Sequence, residues 1–418
     1  MAIVAVGSHG DVAPYTGLAQ TLRDRGHGVT IAAHEGFAGL VSSSGAAFAA
    51  LPFDPRAALH PPPGERADGA SPAALGRGVR LWASRWRQMA EATVAAVDGA
   101  DLVLTSTLGW LSYHVAEAMR IPSMGVFLQP MDPTREFAPC VLTSRSFGGW
   151  GNRALAGALR SAGQWPFAAV VRELRASLGL PAERAGRMFR RMDAERWPVA
   201  YGFSRQVVAQ PGDWPPWRNV VGYLWPHRPR QWRPPARLVE FLDAGAPPVF
   251  VGFGSMRVAD TARVGELVVS ALRRARVRGI VASGWAGLAP GDQDDIFCVD
   301  EIPHDWLFPR LAGVVHHAGA GTTAAGLRAG IPAVTVPVLL DQPFWAARVA
   351  AMGAGPAPIP MRRLTADRLA AAIEAMVSRP AYRDRARQVS SRIGAEDGAG
   401  RIADAVEELH QRGAGAVR

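Results

Sequence analysis

The run VVHHAGAGTTAAGLRAGIPAVTVPVLLDQPFW, from Val314 to Trp345, constrains this chain more than any other stretch. Val314 and Val315 close an apolar strand, His316-His317-Ala318-Gly319-Ala320-Gly321 turns the backbone tightly, and Thr322 with Thr323 caps a helix running to about Arg328. Small residues in such a turn let a ligand approach the main chain. The unpaired N–H groups and positive dipole end of the helix favour phosphate oxygens. Gly330-Ile331-Pro332 stops the helix, Ala333 to Val338 reads as the next buried strand, and Asp341-Gln342 falls just past it. Open parallel sheets bind their ligands at that edge. A glycine-rich turn alone serves equally well as a plain connection. Here two histidines precede it, two threonines follow it, and an acid-amide pair comes one βα unit later. The turn matches neither the dinucleotide fingerprint nor the P-loop with its lysine, so phosphates are expected to be held in another way.

The amino terminus repeats the logic. Ala2 to Val6 reads as a strand, Gly7-Ser8-His9-Gly10-Asp11-Val12-Ala13-Pro14 as a turn, the following residues to Gly26 as a helix, and Val29 to Ala32 as the next strand. This βαβ unit puts His9 and Asp11 at the carboxyl edge of the first strand. An aspartate in that position is also an ordinary turn former, and a histidine of unperturbed pKa near 6.5 suits proton removal at neutral pH.

These motifs resemble the signatures of GT-B glycosyltransferases that use nucleotide sugars, and are most similar to the sterol glucosyltransferases and the bacterial natural-product glycosyltransferases. Those carry HH-[AG]-G-[AS]-G-TT followed by DQ-[PF]-[FY]-[WY], and G-[ST]-[RH]-G-D-V-x-P near the amino terminus. The resemblance implies an α/β GT-B fold, two Rossmann-like domains whose parallel sheets face each other across a cleft. It implies an acceptor-binding domain over 1–215, a Pro/Trp-rich linker over 216–236, a donor domain over 237–395, and a final helix over 396–418 returning to the first domain. Asp11 would be the general base, with His9 orienting it or the acceptor. Gly254, Ser255, His317, Gly319, Gly321, Thr322 and Thr323 would meet the donor diphosphate. Trp285 would stack on the base or plug the cleft, the main chain of Ile302 would read the base edge, and Asp341 and Gln342 would hold sugar hydroxyls. The implied reaction is inverting transfer of a hexose, with UDP-glucose favoured over a dTDP-sugar. Ala325 stands where plant relatives carry a ribose-binding glutamate, which leaves the nucleotide open. No cofactor and no metal site are expected, because Asp292-Gln293-Asp294-Asp295 resembles a DxD motif only superficially.

Acceptor contacts are the least legible. Leu51 to Gly78 is rich in Pro, Gly, Ala and Arg and reads as a loop. A helix expected from about Leu75 to Val97 carries Trp82 and Trp86 four residues apart, a pairing that ordinarily serves packing. These two, with Trp110, Phe127 and Trp150, are the candidate acceptor contacts. Strands over Leu102 to Ser106 and Pro122 to Phe127, with a helix between them, argue for a parallel sheet. Gln210 to Pro235 crowds prolines and tryptophans together and reads as a stiff linker.

Composition narrows the partners. Lysine is absent, so all 46 basic residues are arginines, and the net charge is +10. The arginines are scattered and accompany no nucleic-acid-binding motif, leaving a basic surface suited to steering a nucleotide diphosphate. Cys140 and Cys298 lie far apart, against a disulfide framework, and nowhere do eighteen apolar residues run together. A cytoplasmic protein is expected, with peripheral membrane contact and oligomeric state left open. A nucleotide-sugar epimerase on the same fold and a glycosyltransferase-like partner protein without turnover are the alternatives.

Overall fold

The computed structural model describes residues 1–52, 86–229, 231–254, 260–284 and 291–416. Its strands are short and apolar, and β1 (Ala2–Val4), β4 (Val103–Thr105), β8 (Val249–Gly252) and β11 (Gly313–His316) are buried along their whole length. Continuous burial without alternation marks a parallel sheet covered on both faces. With β2 (Thr30–His34), β3 (Ala47–Leu51), β5 (Ser123–Phe127), β6 (Val199–Tyr201) and β7 (Arg218–Val220), a seven-stranded sheet runs in the order β3-β2-β1-β4-β5-β6-β7. β9 (Gly279–Ala282), β10 (Ile296–Val299) and β12 (Ala333–Thr335) complete a five-stranded sheet in the order β10-β9-β8-β11-β12. All these pairings are parallel. The order of each sheet reverses once, between β1 and β4 and between β8 and β11, and such switch points open crevices at the carboxyl ends of the strands.

The first helix, His9–Asp24, begins earlier than the sequence suggests and includes Pro14. The Asp11 carboxylate accepts the N–H of Ser8, the residue before the helix, which satisfies the chain as it enters the first turn. The carbonyl that Pro14 leaves unbonded belongs to Gly10, an exposed residue.

The proline- and tryptophan-rich stretch is less of a linker than its composition implies. Residues 218–220, inside the expected 216–236 linker, form β7 against β6. Just before them Trp214 is buried and stacks on Tyr201 at 4.5 Å. Large rings gain more from this core than their prolines cost, since β7 is an edge strand.

The final helix, Gly398–Ala416, lies against the first. Ile402, Ala403 and Val406 are buried in one cluster with Ile3, Leu18 and Leu22, and Arg25 meets Asp404 at 2.6 Å. Gly398 makes the crossing, because a Cβ there would lie 2.6 Å from the carbonyl oxygen of Gly222.

Between the two sheets the chain is clasped to the first helix. A Cβ on Gly17 would sit 1.9 Å from the Trp225 carbonyl oxygen, and the His227 N–H donates to Thr16 Oγ1 at 2.9 Å. Arg328, at the end of the helix Ala320–Arg328 of the second half, lies 4.2 Å over the Trp225 ring. The halves also meet where Phe137 packs on Phe344 at 5.4 Å and Phe203 on Trp345 at 5.9 Å.

Candidate active site

At the edge of the seven-stranded sheet Asp11 occupies the first helical turn after β1. Gly7, at φ +140°, permits this, because a Cβ there would lie 2.5 Å from Asp11 Oδ2. That oxygen accepts the Ser8 N–H at 2.8 Å and the Ser8 hydroxyl at 2.9 Å. Among the described residues Oδ1 accepts the Gln129 amide alone, at 3.3 Å, and Thr107 Oγ1 donates to the Gln129 carbonyl oxygen at 3.0 Å. Burial pushes the Asp11 carboxyl up, and the bonds from Ser8 and Gln129 pull it back down. Among the described residues no hydrogen bond joins His9 to Asp11, and the His9 ring packs edge-on to Phe37 at 6.3 Å.

The second edge is built around His317. A Cβ on Gly254 would lie 2.6 Å from its Cε1 and one on Gly319 2.5 Å from its Nε2, so the two glycines sandwich the ring. Its Nδ1 is buried, without a hydrogen-bond partner of standard geometry among the described residues. His316 is the buried end of β11, and its Nδ1 accepts the Ala318 N–H at 3.1 Å. That bond closes a turn in which Ala318 takes φ +63°, a left-handed conformation uncommon for alanine. Burial pulls His316 down to about 3 and His317 and His304 to about 4. All three are therefore uncharged at neutral pH in the unliganded protein.

The helix Ala320–Arg328 starts at Gly319 with no side-chain cap and no acid in its first turn. The Thr323 N–H is bound to the Gly319 carbonyl at 2.9 Å, which leaves the N–H groups of Ala320, Gly321 and Thr322 outside the helical ladder. Thr322 is partly exposed, whereas Thr323 is buried, its hydroxyl without a hydrogen-bond partner among the described residues. One βα unit on, Asp341 Oδ2 accepts the Trp345 indole N–H at 2.7 Å. Its carboxyl is pushed up to about 6, first by burial and also by the charge of Asp11, which places the two carboxylates within electrostatic reach across the cleft. Gln342 is buried, and its Oε1 accepts the N–H groups of Val338 and Leu339 at 2.8 and 3.2 Å, so this oxygen ties down the loop.

Ile302 follows β10, its side chain packed on the core. Gly254 and Gly284 touch, with a Cβ on Gly284 falling 2.9 Å from the Gly254 carbonyl oxygen. Ser255, Trp285 and Trp82 lie outside the described residues. The aromatic candidates scatter. Trp86 is buried and stacks on partly buried Trp110 at 5.1 Å, with Phe167 beside both. Phe127 is likewise buried among Trp197 and Tyr201, while Trp150 is 82% exposed. Sequence reading missed Thr107 and Gln129; Thr107 follows β4, at the first switch point, and Gln129 follows β5, the strand beside it, and that placement was the available signal.

Residues 1–138 match the model of the glycosyltransferase family 28 N-terminal domain, and residues 288–409 that of the erythromycin biosynthesis protein CIII-like C-terminal domain. Over 98% of its length the chain is 34% identical to O-mycaminosyltylonolide 6-deoxyallosyltransferase of Streptomyces fradiae, spanning 97% of that enzyme. The chain is a GT1-type glycosyltransferase. It is a nucleotide-sugar-dependent hexosyltransferase. Two sterol 3-beta-glucosyltransferases of Arabidopsis thaliana are 31% and 34% identical over 98% and 90% of this glycosyltransferase, which spans 68% and 60% of their lengths. Among solved structures, the spinosyn forosaminyltransferase SpnP superposes with a TM-score of 0.70 at 14% identity, each chain covered to 98%. The glycosyltransferase VinC, solved with dTDP, gives 0.66 at 18% identity, covering 98% of this chain and 99% of that one. At such identities these two establish the GT-B fold alone.

Proposed function

We propose that this glycosyltransferase moves glucose from UDP-glucose to a hydroxyl of a lipophilic small molecule, with inversion at the anomeric carbon and Asp11 as general base. The observation that carries the reading is the opposition across the cleft of a carboxylate held by three hydrogen bonds and an uncapped helix start, Gly319 to Thr322. The acceptor hydroxyl gives its proton to Asp11 as its oxygen attacks. Negative charge grows on the departing diphosphate, where the free N–H groups of Ala320, Gly321 and Thr322 and the neutral His317 ring donate hydrogen bonds to it. Asp341 accepts sugar hydroxyls. A base on one face and a leaving group on the other give a single in-line displacement and hence inversion, as in the one-step logic of inverting glycosidases. The sterol and macrolide glycosyltransferase names among the relatives support a lipophilic acceptor, and the glucosyltransferases among them support glucose.

Calorimetric titration with UDP, dTDP, UDP-glucose and UDP-N-acetylglucosamine, followed by transfer assays on lipophilic alcohols, tests this. UDP and UDP-glucose are expected to bind tightest. Asp11→Asn is expected to keep donor affinity and lose transfer by about 10²–10⁴-fold. Asp11→Asn at near wild-type rate would remove the base assignment, and tighter binding of dTDP would move the donor to a thymidine sugar.

A further inference from the structure

Of the seven large hydrophobic side chains exposed among the described residues, five lie between Leu142 and Trp165: Leu142, Phe147, Trp150, Leu159 and Trp165. They belong to one helix, Gly148–Ala162, and its flanks. The backbone keeps helical dihedrals through Gly163 and Gln164, so the helical phase carries on to Trp165. At 100° per residue, Trp150, Ala154, Ala158 and Trp165 fall on one face, opposite the buried Asn152 and Ala156, and Phe147 lies beside it, since a Cβ on Gly151 would fall 2.9 Å from the Phe147 Cβ. No charged residue interrupts this face. Trp150 is 82%, Trp165 70% and Phe147 59% exposed, and the two tryptophans bracket a shallow glycine- and alanine-rich middle over about 22 Å.

Acidic and basic side chains both border the helix, and most of the carboxylates are paired with arginines: Asp213 with Arg153 at 2.7 Å, Asp132 with Arg160 at 2.7 Å, Glu183 with Arg191 at 3.1 Å, and Glu173 with Arg87 at 2.5 Å. Arg145 stands exposed two residues before Phe147, and Arg184 and Arg187 are exposed on either side of Gly186, which packs on Ser161 of the helix. The whole chain carries +10.

We propose that this face docks on an anionic lipid membrane. Indole rings settle at the headgroup level of a bilayer, and an uncharged helix face between them lies in the interface plane with arginines at its margin. A protein partner would be expected to meet a central anchor in a pocket, whereas here the anchors are terminal and the middle is flat. Docking needs no turnover, so it stands or falls apart from the donor and acceptor assignments.

The test is co-sedimentation of the full-length protein with vesicles of phosphatidylcholine alone and of phosphatidylcholine mixed with phosphatidylglycerol. Binding to the mixed vesicles is expected to be at least about tenfold tighter and to weaken with salt. The double variant Trp150→Ala/Trp165→Ala, whose side chains are too exposed to carry the fold, is expected to lose more than about tenfold of it. Arg145→Gln with Arg184→Gln should reduce the preference for anionic vesicles at an unchanged melting temperature. Absence of vesicle binding, or equal binding by the tryptophan variant, overturns the proposal. So does a wild-type dimer in light scattering that the tryptophan variant splits, because the face would then belong to a second copy of the chain.

Discussion

At the residue scale, Asp11 has one oxygen saturated and one nearly free. Oδ2 receives two donors from Ser8, whereas among the described residues Oδ1 receives the Gln129 amide alone, so in the proposed mechanism Oδ1 would take the proton of an incoming hydroxyl. Gln129 stabilises the charged form of this carboxyl, and Thr107 fixes which end of the amide faces it. Replacing Gln129 by Leu removes a donor to the carboxylate and should raise its pKa. The acid limb of kcat/KM is then expected to move to higher pH by roughly one unit, and a limb that stays in place would show that Gln129 does not tune the base. Asp341 gives a second pH signature. Its carboxyl, held at about 6, lies above the ordinary carboxylate value, so the folded protein prefers it protonated. Its stabilising contribution is complete below the unfolded pKa and is lost as pH rises through about 6. Under the proposed role of Asp341, binding would run the other way, since the carboxylate is the stronger acceptor for sugar hydroxyls. Affinity for UDP-glucose, relative to UDP, is expected to fall as pH drops through that value, and Asp341→Asn should flatten the ratio in calorimetry.

At the scale of elements, the helix Ala320–Arg328 combines weak self-stabilisation with a vacant amino terminus. It has no cap and no acid in its first turn, and a Cβ on exposed Gly321 would meet nothing within 4 Å. Gly321→Asp would place a carboxylate on the positive dipole end, favouring the helix by about 0.5 kcal/mol, while repelling a diphosphate. The expected pair of results is an unchanged or higher melting temperature and at least about tenfold weaker UDP binding. A parallel fall in both would mean that the substitution had disturbed the turn instead. This element was legible before any coordinates, because glycines, paired histidines and threonines, and the DQ pair are local features with fixed spacing. The same held for β1 and Asp11. What stayed hidden depended on partners distant in sequence: Gln129 approaches Asp11 across 118 residues, and the exposure of Trp150 against the burial of Trp86 is decided by what packs over each. The β7 strand was masked by composition, since the prolines and tryptophans around it signal stiffness without saying whether a sheet edge lies beside them.

At the scale of the whole molecule, the two sheets share structure out of chain order. The helix Gly398–Ala416 buries Ile402 in the cluster formed by Ile3, Leu18 and Leu22 of the first half. Ile402→Ala is expected to cost about 2–5 kcal/mol of stability, read as a lower urea midpoint with far-ultraviolet and first-half probes moving together. A shift confined to the second half would contradict the shared core. The clasp at Trp225 and His227 extends this sharing, since the residues that grip the first helix follow the last strand of its sheet. Recombination between related enzymes therefore has natural seams that differ from any midpoint of the sequence. A chimera that exchanges the second half should join after His227, so that Gly17 keeps its own Trp225, and should return to the original sequence before Gly398. A transplant carried through Gly398–Ala416 would install a foreign helix on the first half, and a mismatch there would be misread as a change of substrate specificity.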